Sequence, residues 1–80
     1  MMTKKEFIDL FVEELEIENT VVKPETQLNE LEAWDSMGHM IVIGLVSENF
    51  DLKITASDLK ALQSVDDLIN KIGAEKFESE

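Results

Sequence analysis

Ser36 is the residue of this chain best placed for chemistry, because it directly precedes the most apolar segment of the sequence. Asp35 and Ser36 lie side by side ahead of a helical run, a pair that is typical of a helix N-terminus. A serine there keeps its hydroxyl near water, and the free N–H groups of the first turn point towards an incoming anion. The neighbouring residues offer nothing to activate the hydroxyl, so the pattern favours an attachment point for a group that another enzyme brings.

The alternative, in which Ser36 is a catalytic nucleophile, requires a general base within hydrogen-bond reach and a partner that orients the base. The only histidine, His39, follows three residues later, one turn along the same helix and towards the predicted core. A single histidine in such a place is more often a packing or hydrogen-bonding residue, and no Gly-x-Ser-x-Gly elbow is present. We therefore expect no catalytic residues and no enzyme activity.

The acidic residues do not form a metal-binding motif. The sequence has no Asp-x-Asp-x-Asp-Gly loop, no His-x-x-x-His pair and no cysteine. Acidic clusters at 13–16 and 66–67 are more typical of solvated faces. We therefore expect no metal site.

The charge balance restricts the partners. With 18 acidic and 7 basic residues, the chain of 80 residues has a formal net charge of −11. Such a surface repels nucleic acid, favours basic partner proteins and opposes self-association. The sequence has no apolar run long enough for a transmembrane helix and no signal-peptide core in residues 1–11, while the lack of cysteine fits a reducing compartment. We expect a cytoplasmic monomer that binds no nucleic acid and has no membrane span.

The elements that position Ser36 follow from helical spacing and capping signals. Thr3 and Glu6 give a capping-box signal for the first helix, and hydroxyl residues followed by aspartate start the third and fourth. The predicted helices cover residues 4–15, 36–50, 55–62 and 64–72, with Gly73 as the C-cap of the last or, as an alternative, an extension to 77. No segment alternates in the way of a strand. The sequence therefore predicts one all-α domain over residues 1–80, a small bundle of three longer helices and one short helix.

Residues 16–34 form a long loop between the first and second helices, with at most a short turn. A loop of this length is uncommon in a compact domain and is often functional. Its expected anchors to the core are Val21, Val22, Leu28 and Leu31. At the other end of the chain, residues 78–80 are expected to fray.

The second predicted helix has two faces. The expected core face consists of His39, Ile43, Val46 and Phe50, with Val42 beside them. The opposite face consists of Met37, Ile41, Gly44 and Glu48, with Leu45 nearby. A solvated face normally carries charged residues, so this apolar face is either covered by other helices or exposed as a docking strip for a partner.

Taken alone, an Asp-Ser pair indicates no more than a helix cap, because such caps are common. Here Asp35-Ser36-Met37 also follows a long loop and precedes an apolar helix that ends at Phe50, and this combination resembles the acyl and peptidyl carrier proteins. Their hallmark is Asp-Ser-Leu, and Met37 takes the place of the leucine. The remaining matches are the loop anchors Leu28 and Leu31 and the segments 50–54, 55–62 and 64–72, so the resemblance covers nearly the whole chain.

The resemblance implies that Ser36 carries 4′-phosphopantetheine, which a phosphopantetheinyl transferase takes from coenzyme A with Mg²⁺. Asp35 would orient the serine and meet the transferase. The terminal thiol of the arm would hold an acyl or aminoacyl group as a thioester, which makes the chain a carrier rather than an enzyme. Its other partners would be a loading ligase or synthase and an acceptor transferase.

The predicted docking face differs in charge from the corresponding face in one branch of that family. Carriers of primary fatty acid synthesis have acidic residues along the second helix, whereas Glu48 is the only acid on the corresponding face here. We therefore interpret Met37, Ile41, Leu45 and Glu48 as a more apolar docking face, used in a dedicated pathway. The alternative from another class is an unmodified acidic helical adaptor, which would bind its partner through Met37, Ile41 and Leu45.

Overall fold

The protein folds as an all-α bundle, which a computed structural model describes over residues 1–79. Its helices are α1 (Lys4–Glu14), α2 (Ser36–Phe50), α3 (Ala56–Lys60) and α4 (Val65–Ile72), with 3-10 turns at Leu28–Glu30 and Ala74–Lys76. Across residues 1–79 no strand forms, and isolated bridges join Thr3 to Glu78 and Gln27 to Ser64. None of the described helices has the length and apolar character to cross a membrane. The predicted fold class is confirmed.

The helix starts lie where the capping signals predict them. Three helices, α1, α3 and α4, begin with a reciprocal capping box, formed by Thr3 with Glu6, Thr55 with Asp58, and Ser64 with Asp67. Each box satisfies two N–H groups that the helix itself leaves unpaired. The third helix ends at Lys60, two residues earlier than predicted, because Leu62 N–H donates to the Leu59 carbonyl three residues back and Gln63 N–H donates to the Asp67 carboxylate (3.0 Å).

The core face of α2 differs in part from the prediction. His39, Val42 and Val46 are buried as expected, whereas Ile43 is only half-buried. Leu45, expected near the exposed face, is 6% exposed and belongs to the core cluster. Its placement on an exposed strip is wrong, because α1 lies on that side of α2 and its Leu10 shares a groove with Leu45.

The long loop is fixed to the start of α4. Leu28 is fully buried and its N–H donates to the Gln63 carbonyl at 2.8 Å, while Val65 N–H donates to the Thr26 carbonyl at 3.0 Å. Leu31 is buried as well, so both of these predicted anchors are confirmed. Val21 is 78% exposed, and its prediction as an anchor is wrong.

The C-terminal segment does not extend α4. Gly73 ends the helix with a φ of 116°, a conformation that favours glycine, and residues 74–76 make a single 3-10 turn. Phe77 then enters the core at 8% exposed. Glu78 N–H donates to the Met2 carbonyl at 2.9 Å, so the expected fraying is wrong for Glu78. Residue 80, the last of that expectation, lies outside the described residues.

Candidate functional site

Ser36 is the first residue of α2 and its side chain is exposed. Asp35 precedes it as the N-cap, with an extended backbone and a carboxylate Oδ1 that accepts a hydrogen bond from Gly38 N–H at 2.9 Å. Its carbonyl accepts from His39 N–H at 2.8 Å. Within residues 1–79 the Ser36 hydroxyl makes no hydrogen bond, so Asp35 fixes the serine through the backbone and leaves its oxygen available.

A tight chain reversal brings the long loop to this point. Trp34 N–H donates to the Leu31 carbonyl, and Asp35 N–H donates to the Ala33 carbonyl, both at 3.0 Å. The reversal presses the Ala33 carbonyl against Gly38, where a Cβ would lie only 1.9 Å from the oxygen. Because that oxygen belongs to the backbone, no side chain fits at Gly38 without displacing the loop. This glycine therefore permits the approach that places Ser36 at the surface.

His39 lies behind the serine as a packing residue. It is 7% exposed, and its ring meets the Trp34 ring edge to face, with 4.6 Å between centroids and an interplanar angle of 78°. Trp34 in turn lies 6.1 Å from the Phe11 ring of α1. Neither ring nitrogen of His39 has a hydrogen-bond partner within the described chain. The histidine connects the site to the core and does not contact the Ser36 hydroxyl as a base.

The site has the polarity that a phosphate ester needs. The N–H groups of Ser36 and Met37 donate to no acceptor within residues 1–79, as expected at the first turn of a helix. These donors and the positive end of the helix dipole favour a negatively charged group on the Ser36 oxygen. The residues present therefore fit a phosphodiester attached at this serine.

Two methionines extend the site along α2. Met37 and Met40 are each 72% exposed, and their spacing of three residues places them on neighbouring positions of the helix surface. Of the other predicted docking residues, Ile41 is half-buried and Glu48 is exposed. Met40 is not among the docking residues predicted from the sequence, because its exposure depends on which faces of α2 the neighbouring helices leave uncovered.

A groove between α1 and α2, here called the α1–α2 groove, opens beside these methionines. Its volume is about 420 Å³, and its lining consists of Leu10, Glu14, Met40, Ile41, Gly44, Leu45, Glu48 and Asn49. Three of the four predicted docking residues, all except Met37, thus line one concave surface, with Leu45 buried at its base.

A second cleft, of about 630 Å³, lies between the first part of the long loop, just after α1, and its last part. Its acidic lining residues are Glu16, Glu18, Glu30 and Glu32. Over residues 1–79, no three or more His, Cys, Asp or Glu side chains are grouped to hold a metal ion.

A small helical bundle that presents an exposed serine at the N-terminus of its second helix has the architecture of a carrier domain. Residues 5–72 match the family model described as the phosphopantetheine attachment site. Because the match covers more than half of the chain, the protein belongs to this family, whose domains carry covalently attached 4′-phosphopantetheine. Comparisons with curated proteins and with solved structures give no match.

Proposed function

We propose that this protein carries acyl or aminoacyl groups as thioesters on a 4′-phosphopantetheine arm attached to Ser36. The family match supports the arm. The observation that carries the choice of residue is the exposed Ser36 hydroxyl, which makes no hydrogen bond and stands at the N-terminus of α2. The whole chain then acts as a single carrier domain of a dedicated biosynthetic pathway.

The chain's own part in the attachment is limited to presenting an oxygen. The Ser36 oxygen bonds to the phosphorus next to the pantetheine, the pyrophosphate bond of coenzyme A breaks, and adenosine 3′,5′-bisphosphate leaves. His39 is held against Trp34 in the core and does not act as a base on the hydroxyl. The serine proton therefore passes to the phosphopantetheinyl transferase. The free N–H groups of the first turn then stabilise the phosphodiester charge.

The proposed partners are the transferase, a loading ligase or synthase, and an acceptor transferase. We assign their contacts to Met37, Ile41 and Glu48, add the exposed Met40, and assign Leu45 to the base of the groove. Methionine side chains are flexible and polarizable, which suits a surface that meets several enzymes in turn. The use of coenzyme A and the net charge of −11 support a cytoplasmic monomer with no nucleic-acid partner.

The test is the intact mass of the protein after incubation with coenzyme A, Mg²⁺ and a broad-specificity phosphopantetheinyl transferase. The wild-type chain is expected to gain one phosphopantetheinyl group and Ser36→Ala none. Ser47→Ala is the matched control, since Ser47 is exposed on the same helix, and it is expected to gain the group. A gain by Ser36→Ala would move the attachment to another residue. No gain with two transferases, for a chain folded by circular dichroism, would favour the unmodified adaptor.

A further inference from the structure

The second cleft described above, here called the loop cleft, begins three residues before the attachment serine. Ala33 lines this cleft, and the Asp35 N–H donates to the Ala33 carbonyl at 3.0 Å, so the chain folds back just before Ser36. Three residues span at most about 11 Å. From the Ser36 oxygen to the sulfur, a phosphopantetheine arm has about fourteen bonds and reaches roughly 15 Å. The arm is therefore long enough to enter the loop cleft without any change of the fold.

The loop cleft has the size and the lining of a site for a small organic group. Its volume of about 630 Å³ falls within the range of about 300–1,000 Å³ that is usual for such sites. Leu15 and Leu31 are buried and contribute apolar surface to the lining. Asn19 and Thr20 are exposed and offer hydrogen-bonding groups to the two amides of the arm. The lining thus combines the apolar and polar surfaces that an amide-containing arm requires.

The charge of the loop cleft decides which end group it favours. Its lining includes no Lys, Arg or His, and its charged residues, all exposed, are Glu16, Glu18, Glu30 and Glu32. Within residues 1–79 none of these four carboxylates forms an ion pair. They repel an anionic acyl group and attract a cationic one.

The arrangement of the four carboxylates suits an ammonium group better than a metal ion or a long alkyl chain. A divalent cation needs several oxygen ligands that converge on one point, and over the described residues the acidic side chains form no such group. An ammonium group needs no more than three hydrogen-bond acceptors. A long alkyl chain in the cleft would remove water from the carboxylates without replacing it by a partner, which costs free energy. An amino group on a short acyl chain is therefore the favoured end group.

We infer that the loop cleft is the resting site of an aminoacyl group on the phosphopantetheine arm of Ser36. The phosphodiester stays at the N-terminus of α2, the arm passes Ala33, and the ammonium group of the aminoacyl thioester lies among the four carboxylates. The inference rests on the proposed carrier function, and it narrows the cargo from acyl or aminoacyl groups to aminoacyl groups. It assigns the recognition of the cargo to the long loop rather than to α2.

The test compares two stable arms that have the same shape and differ in charge. Coenzyme A analogues in which NH replaces the terminal sulfur carry either alanine or isobutyric acid as an amide, and the transferase attaches each arm to Ser36. The alanyl group has an ammonium group where the isobutyryl group has a methyl group. NMR compares the backbone amide signals of each chain with those of the chain that bears the plain phosphopantetheine arm.

At low ionic strength, where screening is weak, the alanyl arm is expected to move the signals of the loop cleft at least about threefold further than the isobutyryl arm. The signals expected to respond are those of Glu16, Thr20, Glu30 and Glu32. Equal movement with both arms would show that the charge of the cargo is not recognised and would overturn the inference. Movement confined to α2 and α3 would overturn it as well.

The role of the carboxylates is tested with the double variant Glu30→Gln/Glu32→Gln. The matched control is Glu13→Gln/Glu25→Gln, which removes the same net charge from exposed residues outside the lining. Neighbouring negative charges favour the charged form of an amine, so the wild-type chain is expected to raise the pKa of the alanyl ammonium above its value in the free alanyl amide of pantetheine. NMR of isotope-labelled alanine measures this pKa. The cleft variant should lose most of the rise and the control should keep it, whereas the same pKa in both variants would contradict the inference.

Failure of the carrier function and failure of the loop cleft are distinguishable. The first is the absence of a mass gain at Ser36. In that case the alanyl and isobutyryl amides of pantetheine are titrated at millimolar concentration into the unmodified chain, and preferred binding of the alanyl form at the cleft signals would still support the site. Equal binding, or no binding, would overturn it. Mg²⁺ that moves the same signals and displaces the alanyl group would make the cleft a general cation site and overturn its assignment to the cargo.

Discussion

At the start of α2, Asp35 and Gly38 set the position of Ser36 without touching its hydroxyl. The Asp35 carboxylate satisfies the Gly38 N–H, and the missing side chain of Gly38 lets the Ala33 carbonyl approach. Both effects act through the backbone around Ser36 and leave its hydroxyl exposed.

The buried His39 is expected to lower stability rather than raise it. Leaving its two ring nitrogens without partners costs roughly 1–3 kcal/mol, while its edge-to-face contact with Trp34 contributes roughly 0.5–1.5 kcal/mol. We therefore expect His39→Leu, which keeps the volume, to raise the free energy of unfolding by about 1 kcal/mol in urea titrations.

The control is His39→Ala, which is expected to lose about 2 kcal/mol or more because it leaves a cavity. His39→Leu should still accept the phosphopantetheinyl group, since the imidazole has no proposed part in the transfer. A destabilised His39→Leu would mean that a ring nitrogen has a partner in solution.

Among the elements, α3 and α4 are too short to be stable alone, with 5 and 8 residues. The carboxylates at their N-terminal caps therefore help to keep these two helices folded. Backbone N–H groups of Gln63 and then Ser64 donate to the Asp67 carboxylate and lower the pKa of Asp67. At Asp58, the Thr55 N–H and hydroxyl lower the pKa, with a smaller contribution from Lys71.

The lowered pKa of Asp67 predicts acid sensitivity with a definite sign. A carboxylate whose pKa is lower in the folded state stabilises the protein above its unfolded pKa, near 3.9 for aspartate, and this stabilisation disappears as the pH falls through the folded value. Stability is therefore expected to drop below about pH 4. In Asp67→Asn the drop should be smaller, because the amide can cap the helix but does not titrate. Unfolding temperatures measured down to about pH 2 give the comparison, and parallel curves for the two chains would contradict the prediction.

The helix starts could be predicted because capping is local: Ser64 and Asp67 bond within a few residues of each other. The buried and exposed faces of α2 were harder to predict than the helix starts. Apolar residues lie on all sides of this helix, so periodicity does not identify one face as the core face. Leu45 is buried on the side of α2 where α1 lies, whereas Ile43 is half-buried, and both outcomes depend on how the other helices pack.

In the candidate site too, local features could be predicted from the sequence, whereas features that depend on tertiary packing could not. The position of Ser36 behind Asp35 could be predicted from adjacent residues, which also carry the family resemblance. The close approach of Ala33 to Gly38 could not, since it depends on the path of the long loop. The exposure of Met40 likewise depends on what the neighbouring helices leave uncovered.

For the molecule as a whole, α2 is held at both ends by aromatic contacts. At its N-terminal end, Trp34 bridges His39 to α1. At its C-terminal end, Phe50 meets Phe77 with 5.0 Å between ring centroids. Phe77 lies beyond residues 5–72, the range of the family match, and yet it belongs to the core. A lone aromatic residue after a helix-ending glycine carries no local pattern, which is why the sequence did not reveal this contact.

Phe77 also joins the C-terminal segment to the first helix and the start of the chain. Its ring lies 5.7 Å from Phe7 of α1, and the next residue, Glu78, donates its N–H to the Met2 carbonyl.

A domain of this size has a total stability near the lower end of about 5–15 kcal/mol. Phe77→Ala, which removes a buried ring at a cost of roughly 3–5 kcal/mol, is therefore expected to leave the chain close to unfolding at room temperature. Urea titrations followed by circular dichroism measure the loss. Phe77→Leu, which keeps most of the apolar contact, should lose much less, and Glu75→Ala in the same exposed turn should lose almost nothing. Wild-type stability for Phe77→Ala would mean that residues 74–79 do not pack in solution, and that α2 depends on its N-terminal contacts alone to keep Ser36 in place.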